Sequence, residues 1–162
     1  MNTTRESEAR AAGSTTATAV EMINEAKMPI CIVGSGAFWS GAAKEVTEFI
    51  EKGDIPVFTR NAGRGIVPDY HPLAMCIGSN KHPVCAAAIQ ASDLIIIVGT
   101  RTGYTLSKDA FPKGKKILRI DINGAAISDQ LDITLGLVGD AKAILTQLTA
   151  AMDEAKHPQW VK

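Results

Sequence analysis

The run Leu94-Ile95-Ile96-Ile97-Val98 carries apolar, mostly β-branched side chains at every position. Successive residues of a strand point to opposite faces, so a strand of this kind is dry on both. Pro29-Ile30-Cys31-Ile32-Val33, Ile55-Pro56-Val57-Phe58 and Ile117-Leu118-Arg119-Ile120 are of the same type. Leu135-Gly136-Leu137-Val138 and Leu73-Ala74-Met75-Cys76-Ile77 are weaker examples. Helical patterns separate them: Thr18 to Ala26, Gly41 to Lys52, Val84 to Ala91 and a terminal helix from Ala141 to Ala155. In Gly41 to Lys52 the apolar positions are Ala43, Val46, Phe49 and Ile50, and the terminal helix places Ile144, Leu145, Leu148 and Met152 on one face. Doubly buried strands alternating with amphipathic helices predict an α/β fold: a doubly wound, Rossmann-like, mostly parallel sheet of about six strands with helices on both faces.

Length and charge narrow the function. At 162 residues the chain suits one domain, able to bury roughly 70% of its unfolded surface. Seventeen basic residues balance seventeen acidic ones, which argues against nucleic acid or an anionic membrane as partner. Cys31, Cys76 and Cys85 are dispersed in or beside apolar runs, a pattern expected of buried, reduced thiols in a cytoplasmic protein. Residues 1–16 are polar, rich in Ala, Ser and Thr, and read as a disordered leader without a signal-peptide core. The folded domain is expected over 17–160.

The strand ends hold the chemistry. Gly34-Ser35-Gly36 follows the first strand, where glycines let backbone approach a phosphate before a helix that is expected at about Gly41. The spacing departs from G-x-G-x-x-G, because Trp39 occupies the third glycine position. A tight strand-to-helix turn accounts for these glycines as well as a ligand does. The second strand ends Thr59-Arg60 rather than in the acid that takes NAD ribose hydroxyls, which argues against a simple NAD dehydrogenase. Gly99-Thr100-Arg101, Asp121-Ile122 and Gly139-Asp140-Ala141 close the later strands. Arg60 and Arg101 suit phosphate, and Asp121 suits ribose; either arginine also reads as a solvated loop charge or a contact to a neighbouring domain. Asp140 reads first as the N-cap of the last helix. Ser35 lacks the glycines of a nucleophile elbow, His71, His82 and His157 lack metal-ligand spacing, and Trp39 and Trp160 read as packing residues. No catalytic residue or metal site is expected in this chain.

The loop after the second strand is the most specific segment. Gly63-Arg64-Gly65-Ile66-Val67-Pro68 followed by His71-Pro72 resembles the central domain of thiamine-diphosphate-dependent enzymes, the group of acetolactate synthase, pyruvate oxidase, benzoylformate decarboxylase and oxalyl-CoA decarboxylase. Ala91-Ser92-Asp93-Leu94-Ile95, Val98-Gly99-Thr100-Arg101, Arg119-Ile120-Asp121-Ile122 and Gly139-Asp140-Ala141 extend the resemblance from Ala19 to Trp160. Arg64 stands where the family often has Lys.

The resemblance implies a central, non-catalytic domain of a 2-oxo-acid decarboxylase or carboligase. In flavin-binding members the segments matching Gly34, Ser35, Gly36, Thr59, Arg60, Gly99, Thr100, Arg101, Asp121, Ile122, Asp140 and Ala141 hold FAD. In the oxalyl-CoA decarboxylase branch they hold ADP or the CoA nucleotide, and in simple decarboxylases nothing. The resemblance places thiamine diphosphate and Mg²⁺ in the full-length enzyme only, since the family's Gly-Asp-Gly metal pattern is not met in this chain: Gly139-Asp140 is followed by Ala141. The implied partners are N- and C-terminal domains or partner subunits, assembled as a homo-oligomer. Two other readings stay open: a stand-alone nucleotide-binding subunit like the epsilon subunit of acetyl-CoA decarbonylase/synthase, and a structural domain with an empty cleft. The substrate of the parent enzyme is not legible, because its pocket would lie mostly in other domains.

Overall fold

The computed structural model describes residues 13–127 and 131–157. Six strands form one sheet in the order β3-β2-β1-β4-β5-β6. They are β1 (Pro29–Val33), β2 (Val57–Thr59), β3 (Ala74–Ile77), β4 (Leu94–Val98), β5 (Lys116–Asp121) and β6 (Leu135–Val138). Every neighbouring pair is parallel, so the sheet is the doubly wound, Rossmann-like one expected. Among the described residues the α-helices are α1 (Gly13–Glu25), α2 (Ser35–Trp39), α3 (Ala43–Gly53), α4 (Pro83–Ala91), α5 (Gly124–Ile127) and α6 (Ala141–Ala151).

The period-2 geometry of the strands splits the core into two layers. Cys31 and Val33 of β1, with Leu94, Ile96 and Val98 of β4, join Phe49 and Ile50 of α3 and Ile144, Leu145 and Leu148 of α6. Ile30 and Ile32, with Ile95 and Ile97, join Cys85 and Ile89 of α4, Leu106 and Phe111. The run from Leu94 to Val98 is at most 1% exposed. Each fully buried Ile or Leu contributes roughly 1.5–3 kcal/mol of transfer free energy, so these layers dominate stability.

Several boundaries differ from expectation. The first helix begins at Gly13, so residues 13–16 belong to α1 rather than to a leader; residues 1–12 and Trp160 lie outside the described residues. The glycine turn leads at once into the short α2, and α3 is a separate helix starting at Ala43. Gly41, at φ +67°, breaks the chain between them in a conformation that other residues adopt only at a cost. The last helix stops at Ala151, because Met152 turns to extended backbone and buries its own side chain, at 3% exposure. The tail is then fastened to the end of α3: the Ala155 N–H donates to Lys52 O, and the His157 N–H to the Asp54 carboxylate at 2.6 Å. Cys76 is half-buried, unlike Cys31 and Cys85.

Candidate functional site: a cleft at the carboxyl ends of the strands

Strand order reverses between β1 and β4, so the loops after these strands diverge and leave a crevice. A cavity of about 530 Å³ lies there. Its walls come from α2 (Ser35, Gly36, Trp39), the turn after β4 (Gly99, Thr100, Arg101), the end of β5 (Asp121, Ile122, Asn123) and the turn into α6 (Gly139, Asp140, Ala141). Nine of the twelve residues expected from sequence therefore meet in one place. Gly34, Thr59 and Arg60 do not line it.

The floor is a backbone crossing. The Gly36 N–H donates to Gly99 O at 2.8 Å, and the Gly34 N–H donates to Val98 O at 2.9 Å. A Cβ on Gly36 would stand 2.7 Å from the Gly99 Cα, nearer than real Cβ contacts come. Gly99 itself is left-handed, at φ +57°. These glycines seat α2 against the end of β4, and the two amides are spent inside the protein rather than offered to a phosphate.

Polar groups in the cleft are unequally committed. Asp140 caps α6, its carboxylate accepting from the Ala143 N–H at 3.2 Å. Asp121 accepts from the Asn123 N–H at 3.0 Å through Oδ1, while its Oδ2 lies 3.9 Å from the Arg119 guanidinium. Arg101 is exposed and, among the described residues, makes no hydrogen bond or ion pair. The Thr100 hydroxyl is buried without a hydrogen-bond partner. Trp39 is 77% exposed and Ile122 73% exposed, so both give the cleft open apolar wall. Trp39 is thus a rim residue rather than the packing residue expected, its ring edge-on to Phe38 at 5.1 Å.

Arg60 corrects the expectation of a solvated loop charge. It is only 5% exposed and donates from Nη2 to Thr105 Oγ1 at 2.9 Å, while its Nε and Nη1 find no partner. Burial lowers its pKa from the usual arginine value, partly opposed by Cys85. A second buried arginine, Arg119, received no role from sequence. At 1% exposure it donates to the carbonyls of Ile127 and Thr100, tying the end of β5 to the floor of the cleft. The signal was a lone charge in the apolar run Ile117-Leu118-Arg119-Ile120. In the Gly-Arg-Gly loop, His71 acts as a hydrogen-bonder: its Nε2 pairs with Glu51 at 3.1 Å and its Nδ1 accepts from the Leu73 N–H at 3.2 Å. Among the described residues no group of three acidic, Cys or His side chains could hold a metal ion, and no helix is long and apolar enough to cross a membrane.

The parallel sheet, the glycine crossing and the cleft over the switch point define a Rossmann-like α/β domain. The match to known proteins is narrower. Residues 16–148 fit the family model of the thiamine pyrophosphate enzyme central domain, and the chain belongs to that family. It is 33% identical to a probable acetolactate synthase large subunit of Methanococcus aeolicus, over 83% of this chain and 23% of that protein. It is 36% identical to a glyoxylate carboligase of Escherichia coli O157:H7, over 84% of this chain and 24% of that protein. An X-ray structure described as a thiamin diphosphate-dependent enzyme of Mycobacterium smegmatis superposes with a TM-score of 0.78 at 25% identity, covering 91% of this chain and 29% of that one. The chain thus spans about a quarter of the length of these relatives.

Proposed function

We propose that this domain is the central, non-catalytic part of a larger thiamine-diphosphate-dependent 2-oxo-acid decarboxylase or carboligase of the acetolactate synthase kind, and that its cleft binds an adenine nucleotide: FAD, ADP or the nucleotide of CoA. Arg101 carries the reading. An unpaired guanidinium stands in the same cleft as the Asp121 carboxylate. That set offers a cation for phosphate and an acceptor for ribose hydroxyls. Trp39 and Ile122 supply apolar wall for a base. Thiamine diphosphate and Mg²⁺ would be held elsewhere in the parent enzyme, whose other domains and homo-oligomeric assembly would complete the active site in the cytoplasm.

Calorimetry of the chain with FAD, ADP, CoA and NAD tests this. One adenine nucleotide is expected to bind, and Arg101→Ala to weaken it about tenfold to a hundredfold, as expected for a charge-assisted bond of roughly 1.5–3 kcal/mol. Thiamine diphosphate with Mg²⁺ is expected not to bind. No heat with any nucleotide at millimolar concentration would refute the ligand and leave the cleft structural.

A further inference from the structure

A second polar cluster lies away from this cleft, between the edge strand β3 and the start of α4. Cys76 Sγ stands 3.0 Å from His82 Nδ1. The carbonyl of Ile77 is farther, at 3.7 Å, so the imidazole is the nearer polar partner of the thiol. Cys76 packs against the layer that holds Cys85. Cys85 is coupled to Arg60, the buried guanidinium with two unpartnered nitrogens. Cys76 is half-buried on the outermost strand and His82 is half-buried too, so solvent reaches the pair.

We infer that Cys76 is a reactive thiol activated by His82, a modification site for small soft electrophiles, hydroperoxides above all. His82 Nδ1 accepts the proton of Cys76 Sγ. The thiolate attacks the terminal oxygen of the hydroperoxide, the S–O bond forms and the O–O bond breaks. The leaving oxygen takes the proton from the imidazolium and departs as water or alcohol. Cys76 is left as a sulfenic acid, oxidised by two electrons as the peroxide is reduced. With an alkylating reagent such as iodoacetamide the same thiolate forms an S–C bond and iodide leaves.

The other two cysteines are natural controls. Burial pushes the Cys31 thiol up to about 12. Burial, reinforced by Cys76, pushes Cys85 up to about 11, against the lowering effects of the Ser79 N–H and Arg60. Both stay protonated near neutrality, and the thiolate is the nucleophile. Among the described residues, Cys85 of α4 neighbours Cys76 electrostatically, and Lys81, next to His82 in sequence, is held over the Tyr104 ring at 5.3 Å.

The test is peptide-resolved alkylation of the folded chain by iodoacetamide at pH 7. Cys76 is expected to react at least tenfold faster than Cys31 or Cys85. His82→Asn keeps a residue suited to the N-cap of α4 but removes the base. It is expected to slow Cys76 about tenfold at pH 7 and to leave its rate unchanged at about pH 10, where an ordinary thiol ionises unaided. Treatment with hydrogen peroxide followed by dimedone should tag Cys76 and lose the tag in Cys76→Ser. A rate for Cys76 no greater than for the buried cysteines overturns the inference. So does an unchanged rate in folded His82→Asn at pH 7, or an equal slowing at both pH values, which would mark a purely structural role.

Discussion

The crossing of Gly36 and Gly99 can be taken apart with three alanine substitutions that separate collision from backbone strain. In Gly36→Ala the new methyl would stand 2.7 Å from the Gly99 Cα and 3.0 Å from its carbonyl oxygen. Backbone on the far side cannot swing away as a side chain can, so the cost is that of overpacking, about 1–3 kcal/mol. Gly36 lies inside α2, where alanine would otherwise gain roughly 0.5–1 kcal/mol, so a net loss of about 1–2 kcal/mol is expected. Gly41→Ala is the opposite case: φ is +67° and nothing lies within 4 Å. It isolates the left-handed penalty, about 1–2 kcal/mol. Gly99→Ala suffers both, with φ +57° and Ala37 N at 2.7 Å, and is expected to lose about 2–5 kcal/mol. Urea unfolding with linear extrapolation reads all three. Because one shift of α2 relieves both collisions, Gly36→Ala/Gly99→Ala should lose less than the sum of the singles. A Gly36→Ala chain as stable as wild type would refute the claim that this contact seats α2.

Three further outcomes follow from the same geometry. Arg119→Met keeps the volume but strands the Asp121 carboxylate and two carbonyls; a loss of about 3 kcal/mol by urea unfolding is expected. Asp140→Ala removes the cap on the Ala143 N–H and should cost about 1 kcal/mol, while Asp140→Asn, which also caps well, should retain most of it. Trp39→Ala, at a rim position that is 77% exposed, should change stability by less than about 0.5 kcal/mol. If the cleft binds a base there, the same variant should still lower nucleotide affinity in calorimetry.

The fold was legible because its signal is binary and local. Each strand run is apolar at nearly every position, and every such run is a strand of the sheet, down to the weak Ala74–Ile77 and Leu135–Val138. What failed depends on contacts made across the sequence. That α2 begins directly after Gly34 rests on the end of β4, and that α6 stops at Ala151 rests on a Met152 side chain finding the core. Neither partner is visible from a local window. The site divides in the same way. Parallel topology alone carries Arg101, Asp121 and Asp140 to one crevice, so their meeting could be read in advance. Whether a strand-end residue turns toward the crevice or the core could not. Arg60 and Arg101 both follow a strand, yet one is buried against Thr105 and the other is exposed on the rim.

Burying Arg60 and Arg119 asks for a physical reason, since a guanidinium removed from water costs several kcal/mol unless it is bonded. Arg119 recovers much of that through two carbonyls and Asp121, and each of those bonds braces the cleft floor. Arg60 recovers little within the described residues, with one bond to Thr105 and two nitrogens unfilled. If the domain were complete in itself, Arg60→Met would remove that cost, and stability should hold or rise by about 1 kcal/mol. Stability gained in this chain alone but lost in the larger enzyme proposed above would show that Arg60 is satisfied from outside, by a ligand or a neighbouring domain. A loss above about 2 kcal/mol in the domain alone, read by urea unfolding, would show instead that the Thr105 bond and its surroundings already hold the charge, and would remove the case for an external partner.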